Sequence, residues 1–206
     1  MASHQGRTKR TKRTGRDARD EAGAPGADVR GAHGATDPET RARQICLRLL
    51  TLAPRTRAQL ATALRDRGVP DDAARAVLDR FADVGLIDDA AFARAWVESR
   101  HYSRGLAGRA LRAELRQRGV DDDQIKDAIE DLGPDAEAAT ARRLVERKLA
   151  STRGLPSDAR IRRLAGTLAR KGYPAGLAFR VVREALEAEG AQVEESSFDE
   201  LDTYTD

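Results

Sequence analysis

Aromatic side chains make up only 4 % of the 206 residues, so a core built on large rings is excluded. The single cysteine, Cys46, rules out an internal disulfide. Its setting, Ile45-Cys46-Leu47, reads as a small buried hydrophobe rather than a reactive thiol. Three histidines, His4, His33 and His101, show no metal-ligand spacing, so no metal site is expected. No apolar run approaches the length of a membrane span, and the basic N-terminal stretch has no apolar segment behind it. A cytoplasmic protein without a membrane partner is therefore expected. Phosphate loop, dinucleotide fingerprint and nucleophile elbow are all missing, so neither catalytic residues nor cofactors are expected and the chain does not read as an enzyme.

What the chain does have is charge, 34 % of residues, together with abundant alanine and leucine, which favour helix over sheet. Of the 37 basic residues 32 are arginine. That ratio can follow genome composition and is by itself no binding signal.

One phrase is written three times. Leu60-x3-Leu64-x3-Gly68-Val69 recurs as Leu111-x3-Leu115-x3-Gly119-Val120 and as Leu164-x3-Leu168-x3-Gly172-Tyr173. A period of about 50 residues is the mark of stacked supersecondary units. Each glycine can end a helix in the left-handed conformation, and the residue after it can pack back on the second leucine, the pairing of a Schellman motif. A short helix then follows each stop, with stripes Ala74, Val77, Leu78 and Phe81; Ile125, Ala128, Ile129 and Leu132; and Leu177, Val181, Val182 and Leu186. The expected fold is all-α: three tandem three-helix repeats forming an elongated, curved array with disordered termini. Such arrays present long surfaces and usually bind large partners.

The boundaries follow from breakers and caps. Residues 1–37 form a basic extension without apolar periodicity, expected to be disordered. Asp37-Pro38-Glu39 is a helix start and opens the first repeat, 38–87. Asp88-Asp89 opens the second, 88–133, and Gly133-Pro134-Asp135 leads into the third, 134–189. Residues 190–206 carry six acids and no Lys or Arg, an acidic tail also expected to be disordered.

Charge is uneven over the body. Residues 39–87 hold 9 basic and 6 acidic side chains, 88–136 hold 8 and 11, and 137–189 hold 12 and 6. The densest group is Arg142, Arg143, Arg147 and Lys148 with Arg153, then Arg160, Arg162 and Arg163, then Arg170 and Lys171. Arg109, Arg112 and Arg116 line one side of the helix whose other side carries Leu111 and Leu115. Any one of these can be a solvated face, and Arg170 and Lys171 can serve the helix dipole. The group as a whole, with its self-repulsion, points to contact with phosphate or an acidic protein.

Val84-Gly85-Leu86-Ile87-Asp88-Asp89-Ala90-Ala91-Phe92-Ala93, followed by Trp96, Arg100, Gly105 and the second copy of the repeated phrase, resembles the RecX family of regulators of the RecA recombinase. The likeness covers residues 40–189 and includes the threefold organisation. The first repeat departs from the second in the shorter connection between its first two helices. What the resemblance implies is an elongated protein lying in the groove of the RecA–DNA filament and bridging neighbouring protomers; a monomer with weak, non-specific contact to single- and double-stranded DNA is expected. It would hinder filament growth, ATP hydrolysis, strand exchange and LexA cleavage; the cations named above are, from their clustering alone, the expected contacts. Asp88 and Asp89 read as caps, and Phe92 and Trp96 as core between repeats. The rival reading is a winged-helix transcription regulator, which needs a β-hairpin directly after Ile87.

Overall fold

The structure is a computed structural model that describes residues 37–190. The basic extension and acidic tail, residues 1–36 and 191–206, lie outside the described residues. Nine α-helices and one short 3-10 turn are present among those described, with no strand. The first three are α1 (Pro38–Leu52), α2 (Arg57–Arg65) and α3 (Asp71–Asp83). The next are α4 (Asp89–Arg104), α5 (Gly108–Gln117) and α6 (Asp122–Glu130). The last are α7 (Pro134–Leu149), the turn at Ala150–Thr152, α8 (Ser157–Ala169) and α9 (Ala175–Ala188).

Local chemistry accounts for the starts and stops. The Asp37 carboxylate accepts the Thr40 amide at 3.0 Å, and Pro38 stands at the first helical position of α1. Of the two candidate caps of α4, Asp88 takes the role, accepting the Ala91 amide at 2.8 Å. Helix α4 thus begins where a wing hairpin would have to start, and the winged-helix reading loses its defining element.

The repeated phrase does what its spacing predicts. Gly68, Gly119 and Gly172 have φ of 68°, 73° and 87°. After each, the next amide reaches back to the second leucine: Val69 to the Leu64 carbonyl at 3.1 Å, Val120 to Leu115 at 3.2 Å, and Tyr173 to Leu168 at 3.3 Å. Each glycine amide bonds the carbonyl three residues back, which completes a Schellman stop.

Apolar side chains gather into three separate cores rather than one. The first holds Cys46, Leu60, Leu64, Val77, Leu78 and Phe81; the second Val97, Leu111, Leu115 and Ile125; the third Leu144, Ile161, Leu164, Leu168 and Val182. Cys46 is fully buried, and burial pushes its thiol pKa up, away from the reactive thiolate. Each core is the work of three short helices, so it is small, and the groups must lean on one another. Ala107, which precedes α5, is buried in the third core, an early sign of how tightly the groups are joined.

Candidate nucleic-acid interface

Two joints connect the groups, and both are made by the same parts. At the first, the Thr56 hydroxyl accepts the Gln59 amide of its own helix and donates to the Arg118 carbonyl at 2.6 Å. The Arg57 amide, one of the orphan donors at the start of α2, is taken by the Asp89 carboxylate at 2.9 Å. Burial raises the Asp89 pKa, partly offset by the bond from the Arg57 amide. A Cβ added to Gly119 would stand 2.3 Å from the Ala58 Cβ. At the second joint the Ala107 amide donates to the Lys171 carbonyl at 2.9 Å, and the Gly108 amide to the Glu137 carboxylate at 2.6 Å. A Cβ on Gly172 would fall 2.4 Å from the Ala110 backbone nitrogen. The glycine that ends the middle helix of one group is therefore also the seat on which the previous middle helix begins.

The second joint carries a further chain of hydrogen bonds. Leu106 offers a carbonyl to His101 Nδ1 at 2.9 Å, so that nitrogen is the donor. His101 Nε2 and the Thr140 hydroxyl are hydrogen-bonded at 2.8 Å, and that hydroxyl accepts from Arg143 at 2.8 Å. Tyr173 is buried and donates to the Gly105 carbonyl at 3.2 Å. Burial and the nearby Glu137 charge push its phenol up to about 12. The Lys171 ammonium bonds the Arg104 carbonyl at 2.5 Å, closing the end of α4.

Above this sealed joint lies a crevice of ≈ 710 Å³. Its rim carries four cations, Arg104, Arg143, Arg147 and Lys171, one acid, Glu146, and the ring of Tyr102, which is 73 % exposed. Arg143 and Arg147 share a face of α7 because they are four residues apart. Cations at this density around an exposed ring suit a polyanion with stacking bases, that is, single-stranded nucleic acid.

The other sequence-predicted cations are dispersed or committed. Arg109, Lys148, Arg162 and Arg163 are exposed and have no ion pair among the described residues. Arg112 is half-buried on α5. Arg116 is held by Asp122 at 2.7 Å; the bond raises the guanidinium pKa and lowers that of the carboxyl. Arg142 pairs with Glu184 at 3.4 Å, and Arg170 donates to the Thr167 hydroxyl at 3.3 Å. Arg153 meets Glu189 at 2.9 Å. Arg160 drops out of the interface: it is buried and bonded to Glu189 and to the Thr152 hydroxyl. That pairing staples the end of α9 to the start of α8, and the two arginines, Arg160 foremost, hold the Glu189 carboxyl below its ordinary range.

Tyr102 and Arg104 were missed because they lie on α4, some 40 residues from the arginine cluster. Only the docking of α4 against α7 brings them to it. Among the described residues no group of His, Cys, Asp and Glu could hold a metal ion, and no helix is long and apolar enough to cross a membrane.

Comparison with known proteins agrees with the three-group architecture. Family models described as the first, second and third three-helix domains of RecX match residues 42–81, 88–129 and 135–182. The regulatory protein RecX of Thermobifida fusca is 63 % identical over 164 residues, which cover 80 % of this chain and 89 % of that protein. The protein of the same name from Streptomyces coelicolor is 61 % identical over 158 residues, covering 77 % and 84 %. Among solved structures, RecX from Lactobacillus salivarius superposes with a TM-score of 0.68 over 71 % of this chain and 96 % of that one. At 18 % identity it speaks for the fold alone.

Proposed function

The chain belongs to the RecX family, and from that membership we propose that it is a modulator, mainly an inhibitor, of the RecA recombinase. It binds as a monomer in the groove of the RecA–DNA filament and hinders filament growth, ATP hydrolysis, strand exchange and LexA cleavage. Contact with single- and double-stranded DNA is weak and non-specific. The observation that supports the reading is the cationic crevice over the second joint, set in a tandem of three helical groups. No chemistry on a substrate is required, because a ligand that prefers one filament state shifts the population toward it. The third group has the largest excess of basic over acidic residues, 12 against 6, so it meets phosphate or acidic protein, while the net acidity of the second group avoids trapping the protein on bare DNA.

Purified protein added at stoichiometric ratio to RecA on single-stranded DNA with ATP should lower the ATPase rate and hasten filament disassembly. Undiminished hydrolysis with unaltered filaments sinks the proposal.

A further inference from the structure

The crevice at the second joint holds positive charge that nothing balances. Arg104, Arg143, Arg147 and Lys171 share its rim with one acid, Glu146, and none of the four has an ion pair among the described residues. Arg143 and Lys171 are hydrogen-bonded, but to a neutral hydroxyl and a neutral carbonyl. Cations gathered this closely repel one another, and an anionic occupant relieves the repulsion.

The chain carries a matching anion of its own. Beyond the described residues it holds Glu194, Glu195, Asp199, Glu200, Asp202 and Asp206, with no Lys or Arg after Gly190. Phe198 and Tyr204 stand among those acids. Carboxylates interleaved with flat rings repeat the two features that suit a single strand to the crevice, spaced negative charge and a face to stack on the exposed Tyr102.

The segment is also long enough. Helix α9 begins at Ala175, just after the joint glycine Gly172, and runs 14 residues, so its far end stands about 20 Å from the joint. Glu189 fixes that end through Arg153 and Arg160. From Gly190 to Asp199 an extended chain covers roughly 30 Å, more than the return requires. Other cations of the third group are already neutralised, Arg153 and Arg160 by Glu189, Arg142 by Glu184 and Arg183 by Glu187. The opening at the first joint, of ≈ 500 Å³, offers no match, since Leu50, Pro54, Leu86, Phe92 and Trp96 line it with one guanidinium, Arg55, and one acid, Asp88.

We propose that the chain's own acidic segment, 194–206, occupies the crevice when nucleic acid is absent, with its carboxylates on the four cations, so that a single strand must displace it. The inference rests on the reading of the crevice as a nucleic-acid interface and names how that site is regulated. Tethering sets the effective concentration of the segment at the crevice on the order of 1 mM, so an intrinsic affinity of only about 0.1–0.5 mM keeps the site mostly occupied. Such an occupant lowers affinity for a bare strand, yet yields to a polyanion that makes more phosphate contacts.

The test keeps the full chain and neutralises the segment with Glu194→Gln, Glu195→Gln, Asp199→Asn, Glu200→Gln, Asp202→Asn and Asp206→Asn. Binding of a fluorescein-labelled single-stranded oligonucleotide is followed by anisotropy at low salt. The neutralised chain should bind about threefold to tenfold more tightly than the parent, the factor expected when a tethered competitor is removed. With Arg147→Ala and Tyr102→Ala present in both chains, that gain should fall below about twofold. A synthetic peptide of residues 191–206 should displace the oligonucleotide from the neutralised chain at about millimolar concentration. A gain that persists undiminished in the crevice variants would mean repulsion at a distance without docking, and overturns the inference. A gain that appears only as protein concentration rises would identify the segment of a second copy, and overturns it as well. Equal, measurable binding by parent and neutralised chain sinks this inference alone, whereas no binding by either sinks the nucleic-acid reading of the crevice and this inference with it.

Discussion

At the first joint Gly119 rests on Ala58 and Thr56 reaches the Arg118 carbonyl; at the second Gly172 rests on Ala110 and the Ala107 amide reaches Lys171. In both, a carboxylate from the following group meets the first amide of the earlier middle helix, Asp89 for Arg57 and Glu137 for Gly108. The covered surfaces are alike, yet the surfaces left over are opposed. One is an apolar groove with a lone guanidinium, the other a crevice with four cations and an exposed ring. Repetition thus sets how the groups stack, and the positions free of stacking are open to diverge. The lesson is that in a repeat array the function sits in the differences between joints.

The strongest test of that comparison compares the three glycines. Gly68 has nothing within 4 Å of an added Cβ, whereas Gly119 and Gly172 have a rigid neighbour well inside contact distance. Gly68→Ala should cost about 1 kcal/mol from its left-handed backbone alone. Gly119→Ala and Gly172→Ala should cost more than about 3 kcal/mol each, because Ala58 and the Ala110 backbone cannot swing aside. Denaturant melts of the three variants decide it, and equal losses would mean that the joints are looser than described.

Binding should separate the joints next. Arg147→Ala with Tyr102→Ala should weaken binding of a single-stranded oligonucleotide by roughly tenfold to a hundredfold, with a shallower salt dependence for the lost phosphate contact. Both side chains are exposed, so thermal stability should hold. Unchanged affinity and salt slope would strip the crevice of its role.

Acid should act on the end of the third group. The Glu189 carboxyl has its pKa lowered by Arg160 and Arg153, so its contribution is fully present above the ordinary glutamate range near 4.5 and fades as the pH falls through the lowered value. Glu189→Gln should therefore lose stability at neutral pH and differ little from the parent once the pH is below that window. A constant difference across pH would contradict the pairing.

The smallest effect is expected from Tyr173→Phe, which removes the bond to the Gly105 carbonyl at the second joint and nothing else. About 1 kcal/mol should be lost, and the phenol titration near 12 should vanish from the ultraviolet absorbance.

Much of this could be read before any coordinates. The glycine stops, the stripe residues Val77, Phe81, Ile125 and Val182, and the capping role of Asp88 follow from spacing that local geometry enforces. The second role of Gly119 and Gly172 was not legible, since a helix stop and a helix seat call for the same residue. By sequence Asp89 is as good a cap of its own helix as Asp88, yet it serves the first amide of α2. By sequence Arg160 belongs to a cationic series, but its position on α8 turns it inward to Glu189. Charge counting along the chain has no term for direction.

Helix, stop and repeat are matters of neighbours three to five residues apart, and for these the order of side chains in this protein is enough. Which arginines stay open, which carboxylate meets which amide, and why Tyr102 and Arg104 join a cluster some 40 residues away depend on how one group docks on the next. That docking is decided by close contact between surfaces far apart in the chain, where a single Cβ at Gly172 would have kept them from meeting.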